Sequence, residues 1–248
     1  MVVRWNDAPE CVNVVGERWN FHTIQPLPDD ELLLVCCRCR KYADGTHDRN
    51  ARVYDRAGTL RREFLLGDGI SRVQTTSDGQ IWVSYFDEGV FGNFGWTEPV
   101  GTAGLLCWDA HGRRLSEYHP PAGLDSICDC YALNVASDDE TWLYYYTEFP
   151  LVRVRRDGEI KAWRCPLGGS DGFAIHGNYV LFRGGYRRHD DCQLFHLNDD
   201  GSMKPLGSYS FADESGRSLQ GARAFSRGPF LYLSEGSACF RADVRELV

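Results

Sequence analysis

The stretch "SRVQTTSDGQIWVSY", residues 71–85, decides how the rest of the chain is read. Val73, Ile81, Trp82, Val83 and Tyr85 are β-branched or aromatic, and they stand on either side of the polar break Ser77-Asp78-Gly79. Such residues suit a half-buried pleated surface, and an Asp-Gly pair reverses a chain because glycine enters positive φ without steric cost. The segment therefore reads as a β-hairpin. It runs directly into "FDEG", residues 86–89, where two acids and a glycine interrupt the apolar pattern.

The same unit recurs. "FHTIQPLPDDELLLV" from Phe21, "YALNVASDDETWLYY" from Tyr131, "GFAIHGNYVLF" from Gly172 and "ARAFSRGPFLYL" from Ala222 each pair two apolar runs across a polar turn. In four of the five units a second hairpin follows, with turn glycines Gly58, Gly112, Gly158 and Gly201. Two successive hairpins make a four-stranded antiparallel sheet, and repetition of such sheets at this spacing is the signature of propeller blades. The fold expected is all-β: a single domain over residues 1–248, a five-bladed β-propeller of four-stranded antiparallel blades, with six blades as the alternative. The last unit has room for three strands before Val248, and "CVNVVGE", Cys11 to Glu17, is expected to close the ring as its fourth.

Through Asp78-Gly79-Gln80-Ile81-Trp82-Val83 and the repeated Asp-Gly turns, the chain resembles the β-propeller superfamily that includes streptogramin-lyase-like and WD40-like proteins. The resemblance is one of pattern and implies the fold. The Gly-His and Trp-Asp pairing of WD40 repeats is absent apart from an isolated Trp108-Asp109. The His and Glu arrangement that holds a divalent metal in streptogramin-lyase relatives has no residue-by-residue match.

Composition narrows the function classes. A formal charge of -8 and the lack of a basic stripe argue against nucleic-acid binding. No run approaches the 18 or so apolar residues of a membrane span, and the first residues lack an apolar signal segment, so a cytoplasmic protein without membrane partners is expected. Only Lys41, Lys161 and Lys204 are lysines among 27 basic residues, a bias that suggests a GC-rich bacterial source. The ten cysteines then read as free thiols in a β core. Zinc would need the C-x-C pairs Cys37/Cys39 and Cys128/Cys130, whose spacing departs from the usual one.

In a propeller, the loops between the second and third strands of each blade gather on one face with the loops between blades. The 19 residues of "FDEGVFGNFGWTEPVGTAG", 86–104, form one of these, longer than an ordinary connection, and read as a functional loop. Phe91, Phe94 and Trp96 would offer an aromatic platform, with Asp87 and Glu88 as acceptors. The competing reading folds these aromatics back into a small satellite core. Blade four adds Tyr186, Arg187 and Arg188 as ligand contacts. His189, or His47 of blade one, would be the general base if the site is catalytic. Asp68, Asp129 and Asp171 lie between blades; ringed together they would recruit a divalent cation, calcium or magnesium, and singly they would cap turns. No other cofactor is implied.

Two functions fit these residues. One is a non-catalytic module whose loop face binds a small molecule, peptide or protein. The alternative is a channel-mouth lyase or hydrolase, metal-assisted, acting on a small polar or cyclic substrate.

Overall fold

The structure is a computed structural model that describes residues 2–5, 9–186, 191–213, 215–219 and 223–248. The chain divides into two compact units, Met1–His119 and Pro120–Val248.

In the first unit, β1 (Val2–Trp5) and β2 (Pro9–Val12) form a hairpin. Then follow β3 (Thr23–Pro26), β4 (Leu32–Val35), β5 (Ala51–Tyr54) and β6 (Leu60–Phe64), hydrogen-bonded in chain order. A second meander comprises β7 (Ile70–Thr75), β8 (Ile81–Tyr85), β9 (Leu105–Trp108) and β10 (Arg114–Glu117), with the short helix α1 (Asp87–Phe91) between β8 and β9. The second unit holds β11 (Asp129–Ser137), β12 (Glu140–Tyr146), β13 (Leu151–Arg155) and β14 (Ile160–Trp163). Next come β15 (Gly172–His176), β16 (Tyr179–Arg183), β17 (Asp191–Leu197) and β18 (Met203–Ser210). The last sheet has β19 (Arg223–Arg227), β20 (Phe230–Glu235) and β21 (Ala238–Asp243), followed by one 3-10 turn, Val244–Glu246.

All nine hairpins read from the sequence are present, and every pairing is antiparallel. Two expectations change. Among the described residues the segment Cys11–Glu17 extends no other sheet: its first two residues belong to β2, which pairs with β1, Val2 opposite Val12. The last sheet has three strands among the described residues. A partner a few residues upstream closes a much shorter loop than a strand at the far end of the chain, and so loses less entropy. The loop 86–104 also has structure of its own, because α1 occupies its first turn. Among the described residues no helix is long and apolar enough to cross a membrane.

Each unit has its own core. In the first, Leu33, Val35, Val53, Ile81, Val83 and Leu106 are buried where adjacent sheets face each other. In the second, the core is aromatic: Trp142, Tyr144, Trp163, Phe173, Phe182 and Phe195, with the Trp142 and Trp163 rings stacked at 5.3 Å. Full burial of side chains of this size contributes about 1.5–3 kcal/mol each.

Buried backbone groups between sheets still need partners, and in both units an asparagine supplies them. Asn50, fully buried, donates to the Cys36 and Gly67 carbonyls at 2.8 Å each and accepts from the Leu66 N–H at 3.0 Å. Asn134, on β11 and also fully buried, donates to the Phe173 and Gly228 carbonyls and accepts from the Gly228 N–H at 2.7 Å. Asn134 thus ties three successive repeats together. Replacing Asn134 by Ala removes three hydrogen bonds to buried backbone groups, of which the Gly228 carbonyl keeps the Ile175 N–H at 2.9 Å, and urea unfolding should show a loss of about 2–4 kcal/mol. A change smaller than about 1 kcal/mol would mean that these groups find other partners.

Candidate functional site

Three connections of the first unit come together at the ends of its strands: residues 36–50 between β4 and β5, residues 65–69 between β6 and β7, and the loop 86–104. At their centre lies Asp68, whose side chain is 2% exposed. Its Oδ1 accepts from Arg38 Nε at 3.0 Å and from the Cys39 N–H at 2.6 Å, and its Oδ2 accepts from Arg38 Nη2 at 3.0 Å. A carboxylate this far from water needs such a set of donors, and a bidentate guanidinium is the best match for its shape. Arg38 is thereby fixed, and its Nη1 reaches Glu88 Oε2 of α1 at 2.5 Å. Hydrogen bonds from Asn93 and Arg38 hold the Glu88 carboxyl below the ordinary glutamate range. Helix α1 can sit this close because two glycines face each other. A Cβ on Gly69 would lie 2.2 Å from Gly89 N, and one on Gly89 would lie 2.6 Å from the Asp68 carbonyl oxygen.

The fixed guanidinium carries an aromatic ring. Arg38 Cζ is 4.2 Å from the centroid of Phe94, and Arg40 Cζ is 5.3 Å from it, both within cation–π range. Phe94 has φ of +48°, a left-handed conformation that is rare for a bulky side chain and costs of order 1–3 kcal/mol. The conformation is held because the Phe94 carbonyl accepts the Lys41 N–H at 3.0 Å, and Gly95 next to it leaves no room for a Cβ against the Lys41 carbonyl. Phe94 is nonetheless 39% exposed and Phe91 is 67% exposed.

Trp96 is not a platform residue: it is 7% exposed, and its indole N–H donates to the Cys39 carbonyl at 2.8 Å. It bolts loop 86–104 to loop 36–50, with Lys41 Nζ 5.3 Å from its ring and the His47 ring at 5.9 Å. Asp87 is exposed and accepts the Glu88 N–H. His47 is exposed, its Nδ1 2.9 Å from the Asp48 carbonyl oxygen. In the second unit, Asp171 pairs with Arg183 at 2.7 Å, Asp129 opens β11 opposite Tyr146, and the Tyr186 hydroxyl lies 2.6 Å from that of Tyr131. Arg187, Arg188 and His189 lie outside the described residues. Among the described residues no group of three or more His, Cys, Asp or Glu is placed to hold a metal ion. The described cysteines, from Cys36 to Cys239, are free thiols. Asp213 caps its own turn through the Ser215 and Arg217 N–H groups, and its carboxyl is lowered to about 2, first by the Ser215 hydroxyl.

Arg38 and Arg40 are the residues that sequence reading missed. The signal is the run "RCRK", residues 38–41, which places two arginines in the second-to-third strand loop of the preceding repeat.

Residues 100–242 match the model of the YxzG family. The chain belongs to the YxzG family. No curated protein matches it. Among solved structures, this YxzG-family chain is similar to a streptogramin B lyase, with 13% identity and a TM-score of 0.51 over 94% of this chain and 68% of that one. It is similar also to the β-propeller domain of Cps50 (Swd1) from Myceliophteria thermophila, with 13% identity and a TM-score of 0.54 over 94% and 72%. A protein of unknown function from Bacteroides caccae matches with 12% identity and a TM-score of 0.51 over 92% and 79%. At these identities the likeness is one of fold, and the fold is the β-propeller.

The Glu88–Arg38 contact gives the site a pH dependence of known sign. Because the folded-state carboxyl is lowered, its stabilising contribution is fully present above the ordinary glutamate range and is lost as pH falls through the lowered value. The Arg38 Nη resonances followed by NMR should keep their ordered positions at pH 5 and lose them only under stronger acid. Glu88→Gln should remove this transition, whereas an unchanged acid transition in that variant would assign it to another group.

Proposed function

We propose that this YxzG-family protein is a non-catalytic binding propeller, its five sheets of three or four strands acting as blades, whose ligand or protein partner docks on the loops 36–50 and 86–104. The observation that carries this reading is Phe94. A bulky aromatic ring held in a left-handed conformation, braced by Arg38 and still exposed to solvent, is a local strain that the fold tolerates at a surface position. Strain of that kind is typical of ligand-contacting residues. Arg40, exposed beside the same ring, and Phe91 extend the surface.

The state of the acids supports binding over chemistry. Asp68 is occupied by Arg38 and Cys39, Asp48 accepts from the Arg40 N–H and the Tyr42 hydroxyl, and Glu88 is engaged by Arg38. These carboxylates shape the loops, while ring faces and guanidinium edges meet solvent. Surfaces of this composition, aromatic and arginine-rich with fixed geometry, carry most of the energy in protein interfaces.

Selection of displayed random peptides on the full chain tests the reading. Enriched peptides should lose about tenfold or more in affinity on Phe94→Ala and on Arg40→Ala, as expected for central contacts, with urea midpoints near wild type. Turnover of a small substrate that survives both substitutions, with no ligand sensitive to either, would contradict it.

A further inference from the structure

A second aromatic surface lies in the other unit, built from three separate segments. Tyr131 stands near the start of β11, Tyr146 ends β12 with Phe149 just beyond it, and Tyr186 follows β16. The rings are packed edge to face: Tyr131 to Phe149 at 5.2 Å, Tyr146 to Phe149 at 5.6 Å, Phe149 to Tyr186 at 5.8 Å and Tyr131 to Tyr186 at 6.2 Å. Phe149 also stacks on Tyr144, whose hydroxyl donates to the Leu167 carbonyl.

This cluster is fixed and yet solvent-facing. Phe149 has φ of +53°, the same rare conformation as Phe94, again on a loop between second and third strands. Beneath Tyr186 lies Gly169, where a Cβ would come within 2.6 Å of the ring, so that only glycine lets the ring rest on the backbone. The Tyr186 N–H donates to the Gly168 carbonyl at 3.1 Å. Even so, Tyr186 is 58% exposed and Tyr146 is 43% exposed. Rings held in place before a ligand arrives lose little entropy when it binds.

The chemistry of the surface selects the ligand. Ring faces are electron-rich and accept saturated C–H surfaces. In the Tyr131–Tyr186 pair, one hydroxyl donates to the other, which leaves one O–H free to donate outward. A ligand that suits this set brings apolar ridges and carbonyl acceptors and few donors. A polyproline II segment has those properties: pyrrolidine rings, solvated carbonyls and no N–H at proline. A sugar ring brings several hydroxyls, each needing both a donor and an acceptor, for which three tyrosyl oxygens, two of them bonded to each other, are too few.

We propose that Tyr131, Tyr146, Phe149 and Tyr186 form a docking site for a proline-rich peptide segment in the polyproline II conformation. The site is independent of the loops around Phe94, and either reading can fail without the other.

Calorimetric titration of the full chain with decaproline tests it, with maltohexaose titrated in parallel. Decaproline should bind saturably, Tyr186→Ala and Tyr146→Ala should each weaken it about tenfold, as expected for aromatic anchors, and Tyr131→Phe about threefold, as expected for one neutral hydrogen bond. Should Tyr186→Ala fail to fold, Tyr146→Ala and Tyr131→Phe carry the test. Three results would each overturn the proposal: no saturable binding of decaproline to wild type, binding indifferent to these substitutions, or maltohexaose bound through Tyr186 in its place.

Discussion

The site of the first unit depends on one buried carboxylate. Asp68 is out of water and would be untenable alone, so the loop 36–50 must bring Arg38 and the Cys39 N–H to it. That requirement places Arg38, Arg38 places Glu88 and the ring of Phe94, and the Phe94 carbonyl returns to Lys41. Residues from three connections are thus ordered by a charge that the sequence separates from its partner by 30 positions. The glycine pair Gly69 and Gly89 makes the arrangement sterically possible, since a side chain at either would drive α1 away.

The two units share a design at the loop between the second and third strands of a sheet. In both, a phenylalanine with positive φ is held by cation–π or ring contacts, and a glycine lets the surface pack closely: Gly95 against the Lys41 carbonyl in one, Gly169 beneath the Tyr186 ring in the other. In both, a fully buried asparagine satisfies the backbone where repeats abut. Rigid hairpins and satisfied interiors leave the loops free to carry the binding chemistry, which is the usual division of labour in a β scaffold.

The hairpins were legible because a strand's side-chain period and an Asp-Gly turn are local properties; in the four second hairpins the structure shows Asp55, Asp109, Asp157 and Asp200 capping neighbouring N–H groups. The position of the functional loop was legible for the same reason. Its chemistry was only partly so. Whether Trp96 faces inward depends on the Cys39 carbonyl, and whether Asp68 is a ligand or a buried partner depends on Arg38, both contacts between distant segments. Helix α1 was hidden because five residues containing a glycine and following a phenylalanine give no capping signal. The tyrosine cluster was hidden because its members come from three segments in two repeats, with one hydroxyl pair spanning 55 residues. The N-terminal hairpin was missed because four residues, Val2–Trp5, are too few to show a period.

Site-resolved amide hydrogen exchange on the wild type and on Asp68→Asn tests most directly the claim that Asp68 organises the loop face. In the wild type, the Cys39 and Lys41 amides should exchange slowly. In the variant both should lose protection together, while β8 and β9 amides such as Val83 and Leu106 keep theirs. Unprotected Cys39 and Lys41 amides in the wild type, or protection of both that persists in the variant, would contradict the account.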